Sequence, residues 1–227
     1  MKIPNPIKPG DVIGVCAPSS GVTGDLFIKE LEYAKSIFHE YGYIVKETDS
    51  IRKNNKCTSA SPEKRLEEFM NLYKDDRVSA IIPPWGGEFL MEILPLIDFD
   101  ELAIYTPKWI MGFSDISLLL FVLTLKLDIV TVHGPTFLDF ASRDPSIFAA
   151  FNFLQNNDRE IKQINQEYYQ KEWPKLNENG YNPYDKKEIV KWETINKKSC
   201  EFSGRLIGGC LDVLESVFGT PYANIKK

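Results

Sequence analysis

The chain has 227 residues, 43% hydrophobic and 26% charged, the balance of a folded globular protein rather than a disordered one. A formal net charge of -5 gives no basic footprint for a phosphate backbone, so no nucleic-acid partner is expected. The N-terminal Met1-Lys2-Ile3-Pro4-Asn5-Pro6 has no apolar signal core and no stretch reaches the length of a membrane span, so the expectation is a cytoplasmic protein without a membrane partner.

After a Pro9-Gly10 turn, residues 11–17 read as a first strand opening onto the small-residue loop Pro18-Ser19-Ser20-Gly21. Apolar residues recur at helical spacing over 25–41. Ile44-Val45 reads as a brief strand, Ser61 as an N-cap and Pro62 as the first residue of a helix running to about Lys74. A strand over 78–82, a short helix over 89–94, the strand Trp109-Ile110-Met111, a helix over 116–125, a strand over 129–132 and a helix over 145–155 follow. Strands alternating with helices predict an α/β fold, a parallel sheet flanked by helices of the flavodoxin or amidotransferase kind, with its sites at the carboxyl ends of the strands.

Residues 1–155 are therefore expected to form an N-terminal α/β domain. Residues 156–199, rich in Asn, Lys, Glu and Tyr, read as a linker and irregular segment. From residue 200 order returns, with a strand over 201–207, a Gly208-Gly209 turn and a helix over 210–218 ended by Gly219, the start of a second α/β domain expected to be cut short by residue 227. Cys16, Cys57, Cys200 and Cys210 are far apart, and two histidines complete no zinc set, so reduced, mostly buried thiols and no metal are expected. Cys16 lies inside an apolar strand with nothing to lower its pKa, which argues against a cysteine hydrolase. Acidic pairs such as Glu67-Glu68 and Asp75-Asp76 read as solvated helix faces and ends, and His39, in a helix beside Phe38 and Tyr41, as a solvated or packing residue.

Three strand-end loops carry the candidate chemistry: 18–21, 83–88 and 112–115. Gly112-Phe113-Ser114-Asp115 places Ser114 on a sharp strand-to-helix turn, where a hydroxyl is presented next to unpaired helix N–H groups. The trailing glycine of Gly-x-Ser-x-Gly is replaced by Ile116, and Ser114 is equally readable as a helix cap. Pro84-Trp85-Gly86-Gly87-Glu88 reads as a turn, or as a loop whose backbone meets a substrate; Gly87 N–H and Asp115 N–H would form a two-donor oxyanion hole if the loops are adjacent. His133, heading His133-Gly134-Pro135 at another strand end, is open as a base or as a structural hydrogen-bond partner. No Gly-x-Gly-x-x-Gly or Walker sequence supports a nucleotide cofactor.

Lys8-Pro9-Gly10-Asp11, Ala17-Pro18-Ser19-Ser20, Gly86-Gly87, Leu94-Pro95-Leu96-Ile97-Asp98, Gly112-Phe113-Ser114-Asp115, His133-Gly134-Pro135 and Gly204-Arg205-Leu206-Ile207-Gly208-Gly209, taken in order, resemble the LD-carboxypeptidase family of serine peptidases, whose branches include murein tetrapeptide carboxypeptidases and microcin C immunity proteins. The resemblance implies Ser114 as nucleophile, oxyanion amides at Gly87 and Asp115, substrate-binding roles for Gly86, Glu88 and His133, and a Ser-Glu-His triad completed from a C-terminal domain. It implies no metal or organic cofactor, and a homodimer. The substrate would be a murein peptide with a terminal D-amino acid or a small peptidyl or aminoacyl nucleotide of the microcin type; the loop at Trp85 and the insert around Trp173 resemble the microcin branch more closely. Cys210 stands where the family usually has asparagine. Because the triad Glu and His find no match here, a chain of this sequence is expected to be nearly inactive. The competing expectation is a non-catalytic binding module of small ligands in which Ser114 only caps its helix.

Overall fold

Five short strands, Val12–Val15 (β1), Ile44–Glu47 (β2), Val78–Ile81 (β3), Trp109–Gly112 (β4) and Val132–His133 (β5), pair in parallel in the order β2-β1-β3-β4-β5. The coordinates are a computed structural model that describes residues 1–156, 162, 164–181, 183–196 and 198–224. Among the described residues six α-helices accompany the sheet: α1 (Asp25–Glu40), α2 (Pro62–Lys74), α3 (Phe99–Ala103), α4 (Ile116–Leu127), α5 (Pro145–Gln155) and α6 (Leu211–Leu214). The strand order reverses between β1 and β3, and in open α/β sheets a crevice opens at such a point.

Two cores follow from the two sheet faces. Phe38 of α1 stacks on Phe137 and meets Phe140 and Phe151 of α5 on one side, and the other side packs Phe69 and Leu72 of α2 with Ile93, Leu102 and α4. Every residue of α4 from Ile116 to Leu123 is buried, as a helix apolar all round must be. Against β1, strand β3 carries one extra residue, Ser79, since Val12 pairs with Val78 and Ile13 with Ala80. That irregularity lets Val78 and Ala80, two positions apart, join different cores.

The helix starts follow the local chemistry. Ser61 accepts the Lys64 N–H ahead of Pro62, Asp98 accepts the Glu101 N–H at the head of α3, and Asp144 accepts the Ser146 N–H ahead of Pro145. Other expectations need correction. The short helix expected over 89–94 is a 3-10 helix, Leu90–Leu96, with Pro95 inside it, and α3 and the 3-10 helix Leu138–Ser142 escaped the periodicity because each is only five residues long. Of the strand expected over 129–132, only Val132 belongs to β5; Ile129 makes an isolated bridge to Lys2.

Residues 156–199 are not irregular throughout: Tyr168–Tyr169 (β6) and Glu188–Ile189 (β7) form an antiparallel pair. The strand expected over 201–207 does not form. Its alternating pattern finds no neighbouring strand among the described residues, and Phe202 and Leu206 stay 84% and 90% exposed. The helix expected over 210–218 is only α6, yet Leu214 and Val217 are buried in the core beside α4. Of the cysteines only Cys16 is buried, and burial pushes its thiol pKa well up. Glu68 is not solvated: its carboxylate is buried and accepts both the N–H and the hydroxyl of Ser50.

Candidate active site

The polypeptide leaves β4 through Phe113, turns at Ser114 and enters α4 behind Asp115. Ser114 has φ +58°, the left-handed region that costs a non-glycine residue roughly 1–2 kcal/mol. The turn is tight as well: a β-carbon on Gly112 would stand 2.9 Å from Ile116 Cγ2. Ser114 itself is half-buried, and among the described residues nothing hydrogen-bonds its hydroxyl. Its Oγ therefore caps no helix N–H, and α4 has no side-chain cap.

The glycine loop comes to this corner. A β-carbon on Gly86 would lie 2.8 Å from both Cβ and Oγ of Ser114 and 3.1 Å from the Asp115 nitrogen, so only glycine fits there without displacement. Gly87 instead faces the β1 loop, where a β-carbon would meet Ser19 Oγ at 2.2 Å. The Ser20 N–H donates to the Gly86 carbonyl at 3.3 Å, and the Trp85 indole N–H to the Ser20 carbonyl at 3.0 Å. Gly86, Gly87, Ser114 and Asp115 are thus gathered at one sheet edge with Ser19 and Ser20. Glu88 is exposed on the rim and has no polar partner among the described residues.

His133 lies on β5 opposite Gly112, but its Nδ1 is 3.2 Å from Ser117 Oγ rather than bonded to Ser114. Desolvation on the packed side of the ring lowers its pKa below the ordinary histidine value, although the residue as a whole is exposed. Ser117 Oγ also receives the Cys210 N–H at 3.2 Å, and Gly209 packs against the same serine. His133 is therefore a partner of the helix that follows Ser114.

Several contributors were invisible to motif reading. The Arg65 side chain is buried and donates to the Pro18 and Phe89 carbonyls at 2.9 Å each, pairing at its far end with Glu92. It binds the β1 loop to the start of the Leu90–Leu96 helix. The available signal was Arg65 standing in helical register with Phe69 and Leu72, on the apolar face of α2. The insert also reaches the site: Trp173 lies nearly parallel to Phe113, with ring centroids 6.3 Å apart. It is moored by the Tyr33–Tyr181 stack, by Lys186 Nζ on Asp144 at 2.6 Å and by Tyr184 on Asp139. A groove of about 630 Å³ runs along the insert between Tyr168, Trp173, Tyr184 and Trp192, and Ser114 is not among its lining residues. Among the described residues no three metal-ligating side chains converge, and no helix is long and apolar enough to cross a membrane.

The sequence profile of the LD-carboxypeptidase N-terminal domain matches residues 13–134, which contain β1 from Ile13 onward, β2 to β5 and all three loops of the site. The chain belongs to the LD-carboxypeptidase family. Among its LD-carboxypeptidase relatives, a Vibrio cholerae protein bearing a carboxypeptidase name is 28% identical over 218 residues, covering 94% of this chain and 64% of the relative. The microcin C7 self-immunity protein MccF of Escherichia coli is 25% identical, covering 96% and 64%. The chain thus spans about 64% of the length of these curated relatives. The fold is shared with an MccF-like protein from Bacillus anthracis, at a TM-score of 0.82 and 24% identity over 98% of this chain and 66% of that one. It is shared also with MccF in complex with glutamyl sulfamoyl guanosine, at 0.75 and 23% over 96% and 66%.

Proposed function

We propose that Ser114 is the nucleophile of a serine-type hydrolase that cleaves an amide bond near a free carboxylate, with the Gly87 and Asp115 amides receiving the oxyanion. One observation carries the reading: a left-handed serine at a strand-to-helix corner, its hydroxyl unclaimed, with a glycine loop pressed against it. The cap alternative has less support, because Ser114 Oγ caps nothing.

In this reaction Oγ attacks the carbonyl carbon and the carbonyl electron pair moves onto oxygen beside the two amides. Collapse of that intermediate expels the amine, which takes up the serine's proton by way of a base, and water then releases the acid from the acyl-serine. Among the described residues no histidine or carboxylate is bonded to the Ser114 hydroxyl. Residues 1–227 alone are accordingly expected to turn over a murein tetrapeptide about 10³-fold or more below an enzyme with an assembled triad.

The substrate class is a murein peptide ending in a D-amino acid or a small peptidyl or aminoacyl nucleotide. The Phe113–Trp173 pair supports the second, since it sets a flat aromatic surface next to the nucleophile. MccF, a relative, has been solved with aspartyl sulfamoyl adenosine. A cytoplasmic homodimer without metal or organic cofactor completes the reading. Intact-mass detection of a fluorophosphonate adduct tests it, with excess probe and long exposure because no base is bonded to the hydroxyl: a slow adduct should form on Ser114 and vanish in Ser114→Ala, and equal uptake by both chains would refute it.

A further inference from the structure

The nucleophile reading uses the backbone N–H of Asp115 and leaves its side chain without a role, yet one oxygen of that carboxylate takes donors from two other segments of the site. Asp115 is 2% exposed, and one oxygen, Oδ2, accepts the Ser19 hydroxyl at 2.5 Å and the Leu90 N–H at 2.9 Å. Ser19, itself fully buried, receives the Phe89 N–H at 3.4 Å. These three segments come from the exits of β1, β3 and β4, so a single oxygen joins every loop that frames Ser114.

We infer that the Asp115 carboxylate and the Ser19 hydroxyl form a latch that holds the Ser114 corner in register with the Gly86-Gly87 loop, making both of them positioning residues for acyl transfer. The inference rests on the nucleophile reading above for its catalytic meaning. A left-handed non-glycine corner persists only where its surroundings over-determine it. Pinning the side chain of Asp115 also fixes the peptide plane of its own amide, the group that must point at the oxyanion. Oxyanion donors work within a window of a few tenths of an ångström, and misplacement by about 1 Å costs roughly 100-fold in rate.

The test compares Ser19→Ala, Asp115→Ala and Asp115→Asn in the 227-residue chain. Because Oδ2 alone takes both donors, a carboxamide oxygen in its place can keep both bonds, so Asp115→Asn should restore the Leu90 protection and the glycine-loop amide positions that Asp115→Ala loses. In the two alanine variants the Leu90 amide should lose protection from hydrogen exchange, the amide resonances of Gly86, Gly87 and residue 115 should move, and fluorophosphonate uptake at Ser114 should fall roughly 10- to 100-fold. A folded alanine variant with unmoved glycine amides and unchanged Leu90 exchange would overturn the latch. If Asp115→Ala fails to fold, Ser19→Ala, which removes one hydroxyl, carries the same readout. A parent chain that takes up no probe at Ser114 even in excess over long exposure would remove the nucleophile reading, while the amide signals would still decide the latch.

Discussion

Gly86 and Ser114 share a contact with no room for a side chain: any β-carbon on the glycine falls 2.8 Å from the serine Oγ. Gly86→Ala should therefore destabilise the chain by ~1–3 kcal/mol through overpacking and displace the hydroxyl. Chemical denaturation and the fluorophosphonate uptake rate should fall together. An alanine variant with parental stability and reactivity would show that the loop is free to move aside.

Ser114 separates strain from chemistry. Relieving φ +58° with glycine should raise stability by roughly 0.5–1 kcal/mol, whereas Ser114→Ala, which keeps a β-carbon, should give no such gain. Both variants should be silent to the probe. A glycine variant no more stable than the alanine one would mean that the corner carries no strain.

Arg65 is expected to matter more than any exposed ion pair of the chain. Removing its guanidinium in Arg65→Leu leaves the Pro18 and Phe89 carbonyls without their buried donor, at a cost of about 3 kcal/mol or more. Urea unfolding measures this. A loss within 1 kcal/mol, about that of a surface ion pair, would contradict the clamp.

The mooring of the insert has a pH signature. Burial raises the Asp139 pKa above the ordinary carboxylate range, and the bonds from Thr136 and Tyr184 only partly offset it. The folded state then holds this proton more tightly than the unfolded one, so stability is highest at the acid end of the window and declines as pH rises from about 4 through the raised pKa. Asp139→Asn should abolish that decline. Thermal melts between acidic and neutral pH should show the variant gaining on the parent as pH rises, and parallel curves would contradict the assignment. Asp144 has the opposite sign: burial pulls its pKa up, but bonds from Lys186 and Ser146 outweigh it and hold it low, so its contribution is lost on acidification.

The alternation of strands and helices was legible because it depends on local chemistry, and residues such as Ser61, Pro62 and Pro145 announce helix starts unaided. Ser114 and Gly86 were legible for a related reason, since a strained corner and a crowded approach both demand particular residue types. What the sequence concealed is long-range. Arg65 and Glu68 look like solvent-facing charges until the loops they grip fold over them. The segment 201–207 looks like a strand, but strand formation is a property of a pair, and no local pattern reports whether a neighbour is present. Asp115 showed its position and hid its side chain's two donors, which lie 25 and 96 residues away in sequence.

Trp173 rests flat on Phe113 while 76% of its surface remains in water. An indole so placed is a built-in optical gauge. In a chain whose other tryptophans, Trp85, Trp109 and Trp192, are replaced by phenylalanine, its emission should change in colour and intensity when the insert lifts from Phe113 or a flat molecule slides between the two rings, without any attached dye.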